Sequence, residues 1–349
     1  MHRMQLPREI LIGWEILDRA EEIFRRLRLK PSALVLTGPH VYNIVGKKVI
    51  LSLESLGYET DSFIVKESTN RQVNEILKVV KDHKPGFLLG VGGGKVIDVA
   101  KLIAYHINRP FISVPTAASH DGISSDRVSI SDSKNSYSIQ THAPLGIIID
   151  TKIVAQSPYR LTASGCSDIV AKYTAVKDWE FGHKHNGEYY GEYASNLALM
   201  SANLILKHAK TIRQNTADIG LRIVLEALLS CGVAMSIAGS SRPCSGSEHL
   251  FSHALDMISP NVALHGEKCG VGTIMMACLQ KRNWQRIRNK LKIIGSPITA
   301  KELGVKTDHI IDALTIAHKI RVKRYTVLGK EGLSRTMAEK LAKKTGVTD

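Results

Sequence analysis

Three histidines and one aspartate have the residue types and spacing most suggestive of chemistry. Gly246-Ser-Glu-His-Leu-Phe-Ser-His-Ala-Leu255 sets His249 and His253 four apart, which puts both imidazoles on one face of a helix. His265 follows sixteen residues after His249, in Leu264-His-Gly-Glu-Lys-Cys-Gly270, where a second helix can start. Asp168 stands at the expected start of an earlier helix, after Ser164-Gly165-Cys166-Ser167. A carboxylate and two imidazoles from three helices make an open three-ligand site for zinc or another divalent ion, with positions left for water or substrate. The histidine pair lacks the intervening Glu of HExxH, and a single helical histidine is ordinarily solvated or hydrogen-bonded structure. Spacing alone therefore leaves both readings open.

A second stretch, Phe87-Leu-Leu-Gly-Val-Gly-Gly-Gly-Lys-Val-Ile-Asp-Val-Ala-Lys101, organises the first half of the chain. A strand-like run, Phe87 to Val91, meets Gly92, Gly93 and Gly94, and a helix-like segment begins at Lys95. Glycines in such a turn let the backbone approach a ligand and expose unhindered N–H groups. The helix N-terminus adds partial positive charge, so a phosphate is the natural occupant. The pattern departs from GxGxxG: Gly90-Val-Gly92 would begin it, but position 95 is Lys, and that fingerprint belongs at the first strand rather than the third.

A third stretch, Pro115-Thr-Ala-Ala-Ser-His-Asp-Gly122, is crowded with small and hydroxyl residues after a strand. Thr116 and Ser119 can contact a cofactor there and Asp121 a substrate hydroxyl; the alternative is a plain polar turn. Asp98 can likewise cap or pair locally, and Lys95 can be a solvated helix residue.

These stretches need elements to position them. Strands are expected at Glu9–Ile12, Ala33–Thr37, Thr60–Val65, Phe87–Val91, Pro110–Pro115 and Leu145–Ile149, the last closed by Asp150. Helices are expected over Trp14–Leu27, Val41–Leu56, Asn70–Asp82 (capped by Thr69 or Asn70) and Val96–Ile107. This alternation argues for an open parallel sheet with helices on both faces. Ligands then sit beyond the carboxyl ends of the strands, near Gly38, Gly92 to Gly94 and Thr116. Arg127–Ser131 and Tyr137–Thr141 alternate with period two around Asp132–Asn135, as in a hairpin. After Ser157-Pro158 the text is helical, over 167–181, 189–210, 216–239, 246–258, 266–280 and shorter pieces. The apolar segments 197–206 and 223–237 can bury against each other or against a partner subunit. The domains expected are an α/β half, 1–155, and an all-helical half, 156–349.

At 349 residues, 44% hydrophobic and 23% charged, the chain is long enough for two domains of ordinary globular composition. No run of 18 apolar residues appears and no signal-peptide core follows the N-terminus, so neither a membrane span nor secretion is expected. Cys166, Cys231, Cys244, Cys269 and Cys278 are odd in number and form no CxxC, which fits free thiols in a reducing cytoplasm. The net charge of +15 raises the question of nucleic acid. However, the basic residues are spread over many helices, with modest clusters only at Arg25–Arg28 and Arg321–Arg324, and aromatics are 5%. Anionic small molecules are the better use of that charge.

Taken together and in this order, the Gly92–Lys101, Pro115–Gly122, Asp168, Glu248–His253 and His265–Glu267 stretches resemble the iron-containing alcohol dehydrogenase and dehydroquinate synthase superfamily. Within it they most resemble the archaeal sn-glycerol-1-phosphate dehydrogenases, over nearly the whole chain. The resemblance implies a Rossmann-like α/β nucleotide-binding domain, an all-α C-terminal domain and a metal in the cleft between them, the dehydroquinate synthase-like fold. It implies Asp168, His249 and His265 as zinc ligands. It assigns Gly92, Gly93, Gly94, Lys95, Val96, Ile97, Asp98, Thr116, Ala117, Ala118, Ser119 and Ser125 to a nicotinamide cofactor. It places Asp121, His253 and Asp168 against the substrate and in catalysis. Dehydroquinate synthases typically carry Glu as first ligand, so Asp168 favours the dehydrogenase side. The reaction implied is reversible reduction of dihydroxyacetone phosphate to sn-glycerol 1-phosphate with NADH or NADPH, for archaeal ether-lipid synthesis, by a cytoplasmic homo-oligomer. Lys66-Glu67-Ser68 offers both signs of charge where cofactor choice is made, which points to dual use. Another polyol dehydrogenase or a cyclase on the same scaffold is the nearest rival, and a basic nucleic-acid binder a distant one.

Overall fold

Six short strands form one fully parallel sheet, apolar in the interior and mostly polar at the β3 edge, Glu59–Ile64. The computed structural model describes residues 4–131, 136–214 and 218–349. The strands are β1 (Glu9–Gly13), β2 (Ser32–Thr37), β3 (Glu59–Ile64), β4 (Phe87–Gly92), β5 (Phe111–Pro115), the hairpin strands β6 (Arg127–Ser131) and β7 (Ser136–Gln140), and β8 (Gly146–Asp150). Sheet order is β1-β8-β5-β4-β2-β3, with β6 and β7 a separate antiparallel pair. The turn expected at Asp132–Asn135 lies outside the described residues.

Side chains alternate across a strand, and the two sheet faces carry two cores. Val35, Phe87, Leu89 and Val91 pack with Ile23, Phe24 and Leu53 on one face, whereas Leu34, Leu36 and Leu88 pack with Ile76, Ile97 and Ile103 on the other. Strands buried on both faces read as continuous apolar runs, which is why Phe87–Val91 shows no polar alternation.

The helices of this half are α1 (Ala20–Arg26), α2 (Pro39–Val41), α3 (Lys47–Ser55), α4 (Asn70–His83), α5 (Gly94–His106) and α6 (Thr151–Ala155). Thr69 caps α4 through its side chain, which accepts from the Gln72 amide. Two of the expected helices differ. Trp14–Leu27 is not one helix: Glu15 has a left-handed φ of 53°, and a 3-10 turn at Leu17–Arg19 precedes α1. The helix expected from Val41 begins at Pro39, a favoured first position, and passes through a π-helical stretch at Tyr42–Gly46. Asp150 ends β8 and also caps α6, accepting from the Lys152 and Ile153 amides.

The remaining chain is helical: α7 (Tyr159–Asn186), α8 (Glu192–Lys207), α9 (Ala209–Gln214), α10 (Ile219–Ala238), α11 (Ser247–Ile258), α12 (His265–Leu279), α13 (Trp284–Ile294), α14 (Ala300–Leu303), α15 (Thr307–Ile316) and α16 (Arg335–Lys344). The chain divides into two compact units, Met1–Ala118 with Gly122–Pro158, and Ser119–Asp121 with Tyr159–Asp349. The three-residue segment Ser119–Asp121 thus belongs with the helical unit. The apolar α8 and α10 pack against each other. Among the described residues only α10 is long and apolar enough to cross a membrane, and 67% of its most apolar window is buried, as in a core helix.

One difference bears on the site. Asp168 is not at a helix start but deep inside α7, which begins at Tyr159 rather than near residue 167. Gly165 reads as a breaker in sequence, yet the small run Ser164–Ser167 is where α12 comes close. A Cβ on Gly266 would sit 2.0 Å from the Ser164 carbonyl oxygen, and one on Gly272 would sit 3.0 Å from the Glu248 carbonyl oxygen. Glycines on two faces of α12 therefore let it press against α7 and α11 at once.

Candidate metal centre

That close packing gathers the donors. Asp168 comes from the middle of α7, His249 from the first turn of α11, and His265 is the first residue of α12. Cys269, one turn after His265, joins them. Single donor atoms of Asp168, His249, His265 and Cys269 all lie within 4.8 Å of one another. Asp168 Oδ1 is 3.4 Å from His249 Nε2, and Cys269 Sγ is 3.5 Å from His265 Nε2. Bonds of about 2.0–2.3 Å to a tetrahedral ion put neighbouring donors roughly 3.3–3.8 Å apart. The donor set and its spacing fit a divalent ion of the zinc type.

Supporting contacts orient each donor. Glu248 Oε1 lies 2.8 Å from His249 Nδ1, and Glu248 also accepts from Thr174 Oγ1 (2.7 Å) and the Gly246 amide (2.6 Å). A carboxylate on one imidazole nitrogen turns the other toward the centre, the usual support for a metal-binding histidine. The start of α12 is fixed by Glu267, which accepts from the Leu264 amide (2.8 Å) and holds Arg160 through both oxygens (2.6 and 2.8 Å). Lys172, fully buried one turn after Asp168, places Nζ 2.7 Å from Asp168 Oδ1 and 2.7 Å from Asp121 Oδ2. The Asp121 amide in turn donates to Asp168 Oδ2 at 3.2 Å.

Electrostatics follow from this packing. Burial opposes ionisation of Asp168, but Lys172 foremost, then His249 and His265, hold its carboxyl well below the usual range. Burial and the neighbouring His249 push His265 well down, leaving it a neutral donor. Burial also opposes a charge on His249, yet Cys269, Asp168 and Glu248 raise it well above its ordinary value. A histidine ligates a metal only as the neutral imidazole, so an ion held by His249 would compete with a proton for that nitrogen. His253 sits one turn further along α11, its ring centroid 6.0 Å from that of His265. Burial, then Arg321, push it down to about 3, and its Nδ1 is buried without a hydrogen-bond partner.

The sequence profile of the iron-containing alcohol dehydrogenases matches residues 11–158. The chain is 49% identical to the glycerol-1-phosphate dehydrogenase [NAD(P)+] of Thermococcus sibiricus, over 99% of both chains. It is 50% identical to the protein of the same name from Methanothermobacter thermautotrophicus, again over 99% of both. The chain belongs to the glycerol-1-phosphate dehydrogenase family. Its fold is also that of a probable glycerol dehydrogenase from Sinorhizobium meliloti, with a TM-score of 0.82 at 18% identity over 99% of this chain and 98% of the other.

The other residues singled out from sequence lie on the sheet unit, Ser119 and Asp121 excepted. Gly92 ends β4, Gly93 caps α5 without a side chain, and Gly94, Lys95, Val96, Ile97 and Asp98 form its first turns. The helix thus starts at Gly94, one residue before the helix-like segment at Lys95 and two before the Val96–Ile107 span expected. A Cβ on Gly93 would meet nothing within 4 Å, so there is open space beside the start of α5, where a helix N-terminus suits a pyrophosphate. β2 and β4 are neighbours from which the chain departs in opposite directions, so Gly38 and Gly92–Gly94 lie at the sheet's switch point. The Thr116 amide donates to the Gly92 carbonyl (3.1 Å), which binds the Thr116–Ala118 loop beside the turn. Asp98 Oδ2 accepts from the Ser129 amide (2.9 Å) and Ser125 Oγ contacts Arg127, so both also hold the β6 strand in place. Lys66, Glu67, Arg71 and Glu75 line a hollow beyond β3.

Sequence reasoning missed Cys269, Glu248 and Lys172. Each carried a signal: Cys269 and Lys172 stand four residues after His265 and Asp168, and Glu248 directly precedes His249.

Proposed function

We propose that this chain reversibly reduces dihydroxyacetone phosphate to sn-glycerol 1-phosphate with NADH or NADPH, and that Asp168, His249 and His265 hold one zinc ion per subunit. The observation that carries this reading is the convergence of those donors from three helices in a chain half identical, end to end, to glycerol-1-phosphate dehydrogenases. When bound, the metal supplies electrophilic polarisation of a carbonyl and the nicotinamide supplies the hydride.

The chain's own residues do the rest. The open turn at Gly92–Gly94 and the uncapped start of α5 receive the cofactor pyrophosphate, with Thr116–Ser119 and Ser125 completing that side. Lys172 keeps Asp168 ionised and fixes Asp121, whose carboxylate is offered to a substrate hydroxyl. His253, neutral and with Nδ1 unpartnered, exchanges a proton with a substrate oxygen, directly or through water. Lys66 and Arg71 suit a 2′-phosphate and Glu67 a free 2′-hydroxyl, consistent with use of both cofactors. The same reading includes a cytoplasmic place in ether-lipid synthesis and self-association. Tyr193, Met200 and Leu204 leave an exposed apolar strip on α8 for the latter.

The test is metal analysis paired with turnover. Wild-type protein should carry one zinc and lose activity on chelation, and His265→Ala should lose both. Full activity in metal-free His265→Ala would remove the reading.

A further inference from the structure

A centre of one carboxylate and two imidazoles leaves the fourth donor of the cluster without a task. Cys269 is fully buried, and among the described residues it is the one cysteine of five that stands in a group of close potential metal donors. Its direction follows from the helix that carries it. Gly266 and Gly270 turn toward α7, where added Cβ atoms would lie 2.0 Å from the Ser164 carbonyl oxygen and 3.0 Å from Ser167 Cβ. Gly272 turns toward α11, where a Cβ would lie 3.0 Å from the Glu248 carbonyl oxygen. At about 3.6 residues per turn, position 269 falls between these two directions, as does position 265 one turn earlier. The thiol therefore points into the seam where α7, α11 and α12 meet.

The distances there have the values that one shared ion requires. A tetrahedral ion with bonds of about 2.3 Å to sulfur and about 2.0–2.2 Å to nitrogen and oxygen sets its donors apart by roughly 3.5 Å for a sulfur–nitrogen pair and roughly 3.4 Å for an oxygen–nitrogen pair. Cys269 Sγ is 3.5 Å from His265 Nε2, and Asp168 Oδ1 is 3.4 Å from His249 Nε2. All four donor atoms fall within 4.8 Å of one another. A cysteine that only fills a core behaves as a small hydrophobe among apolar neighbours. This one is set among two imidazoles and a carboxylate.

We propose that Cys269 is a fourth protein ligand, so that the centre binds its ion through one carboxylate, two imidazoles and one thiolate. This rests on the metal centre proposed above. A thiolate is a soft donor and favours zinc over harder ions such as manganese. A substrate oxygen enters such a centre as a fifth neighbour, an expansion open to catalytic zinc.

The experiment is X-ray absorption at the zinc edge on the zinc-loaded full chain, in wild type, Cys269→Ser and Cys278→Ser. Zinc affinity is measured on each by chelator competition. Cys278 lies in the last turn of the same helix, outside the donor group, and serves as the control. The wild-type spectrum should show one sulfur neighbour at about 2.3 Å among nitrogen and oxygen neighbours at about 2.0–2.2 Å. In Cys269→Ser the sulfur neighbour should vanish and zinc affinity should fall about 100-fold or more, beyond the usual cost of losing an outer support. Cys278→Ser should keep both. Cobalt loading gives an independent signature, a near-ultraviolet sulfur-to-cobalt charge-transfer band present in wild type and absent in Cys269→Ser. The wild-type measurements need no variant, so a Cys269→Ser protein that fails to fold does not remove the test. Only nitrogen and oxygen neighbours in zinc-loaded wild type, or a sulfur neighbour that persists in Cys269→Ser, would overturn the fourth ligand and leave the three-ligand centre standing. A wild-type protein that takes up no zinc would sink the centre and the fourth ligand with it.

Discussion

Gly266→Ala isolates the packing that assembles the metal centre. The added methyl would lie 2.0 Å from the Ser164 carbonyl oxygen, and an ordinary contact begins near 3.4 Å, so α12 must retreat from α7 by about 1.4 Å at that point. Such overpacking typically costs about 1–3 kcal/mol, and the better helix propensity of alanine returns up to about 1 kcal/mol. The melting temperature should therefore fall by only a few degrees. Metal binding should suffer far more. His265 adjoins position 266, and metal–ligand distances tolerate only about 0.2 Å. Zinc affinity, from competition with a chromophoric chelator, should drop at least about 100-fold. A variant that binds zinc as tightly as wild type would refute the claim that the α7–α12 approach sets the site.

Three further changes probe other parts. Gly93→Asp supplies the missing cap of α5 and places a carboxylate where the pyrophosphate is expected, so thermal stability should hold or rise slightly while NADH binding, followed by fluorescence, weakens about tenfold or more; unchanged binding would count against that turn. Lys172→Met strands the buried carboxylate of Asp168 and the half-buried one of Asp121, and chelated protein should lose about 3–5 kcal/mol in urea unfolding at neutral pH, an unchanged midpoint contradicting the role given to Lys172. His253 gives a pH signature. Its folded pKa of about 3 lies below the unfolded value of about 6.5, so the unfolded chain binds the extra proton and stability falls as pH drops through that window. Arg321, His249, Lys268 and Arg324 surround it and set that direction along with burial. His253→Gln should remove about 2 kcal/mol of the loss between pH 7 and 5, and parallel profiles for the two proteins would exclude the assignment.

The parallel sheet was legible because buried strands announce themselves as apolar runs punctuated by glycine, as at Phe87–Gly92. The edges of the elements were less so. Gly165 is a breaker by propensity, but it sits inside a 28-residue helix because α12 needs small neighbours there, a tertiary demand that no local pattern carries. The metal donors were visible as types and spacings, whereas their supports were not. Lys172 reads as an ordinary solvated lysine until its own burial and its two carboxylate partners, Asp168 and Asp121, are seen. Arg321 and Arg324 read as a modest basic cluster until Val322 and Lys323 are found facing out and the arginines facing in. What a charge pairs with depends on packing between distant segments, and the linear text holds only one partner at a time.

The central claim is tested most directly by following nicotinamide absorbance with dihydroxyacetone phosphate, before and after chelation and zinc restoration, and reading the product's handedness with a stereospecific enzyme. The account predicts metal-dependent oxidation of NADH or NADPH that yields only the 1-phosphate. No oxidation with either cofactor, or the opposite enantiomer as product, would contradict it.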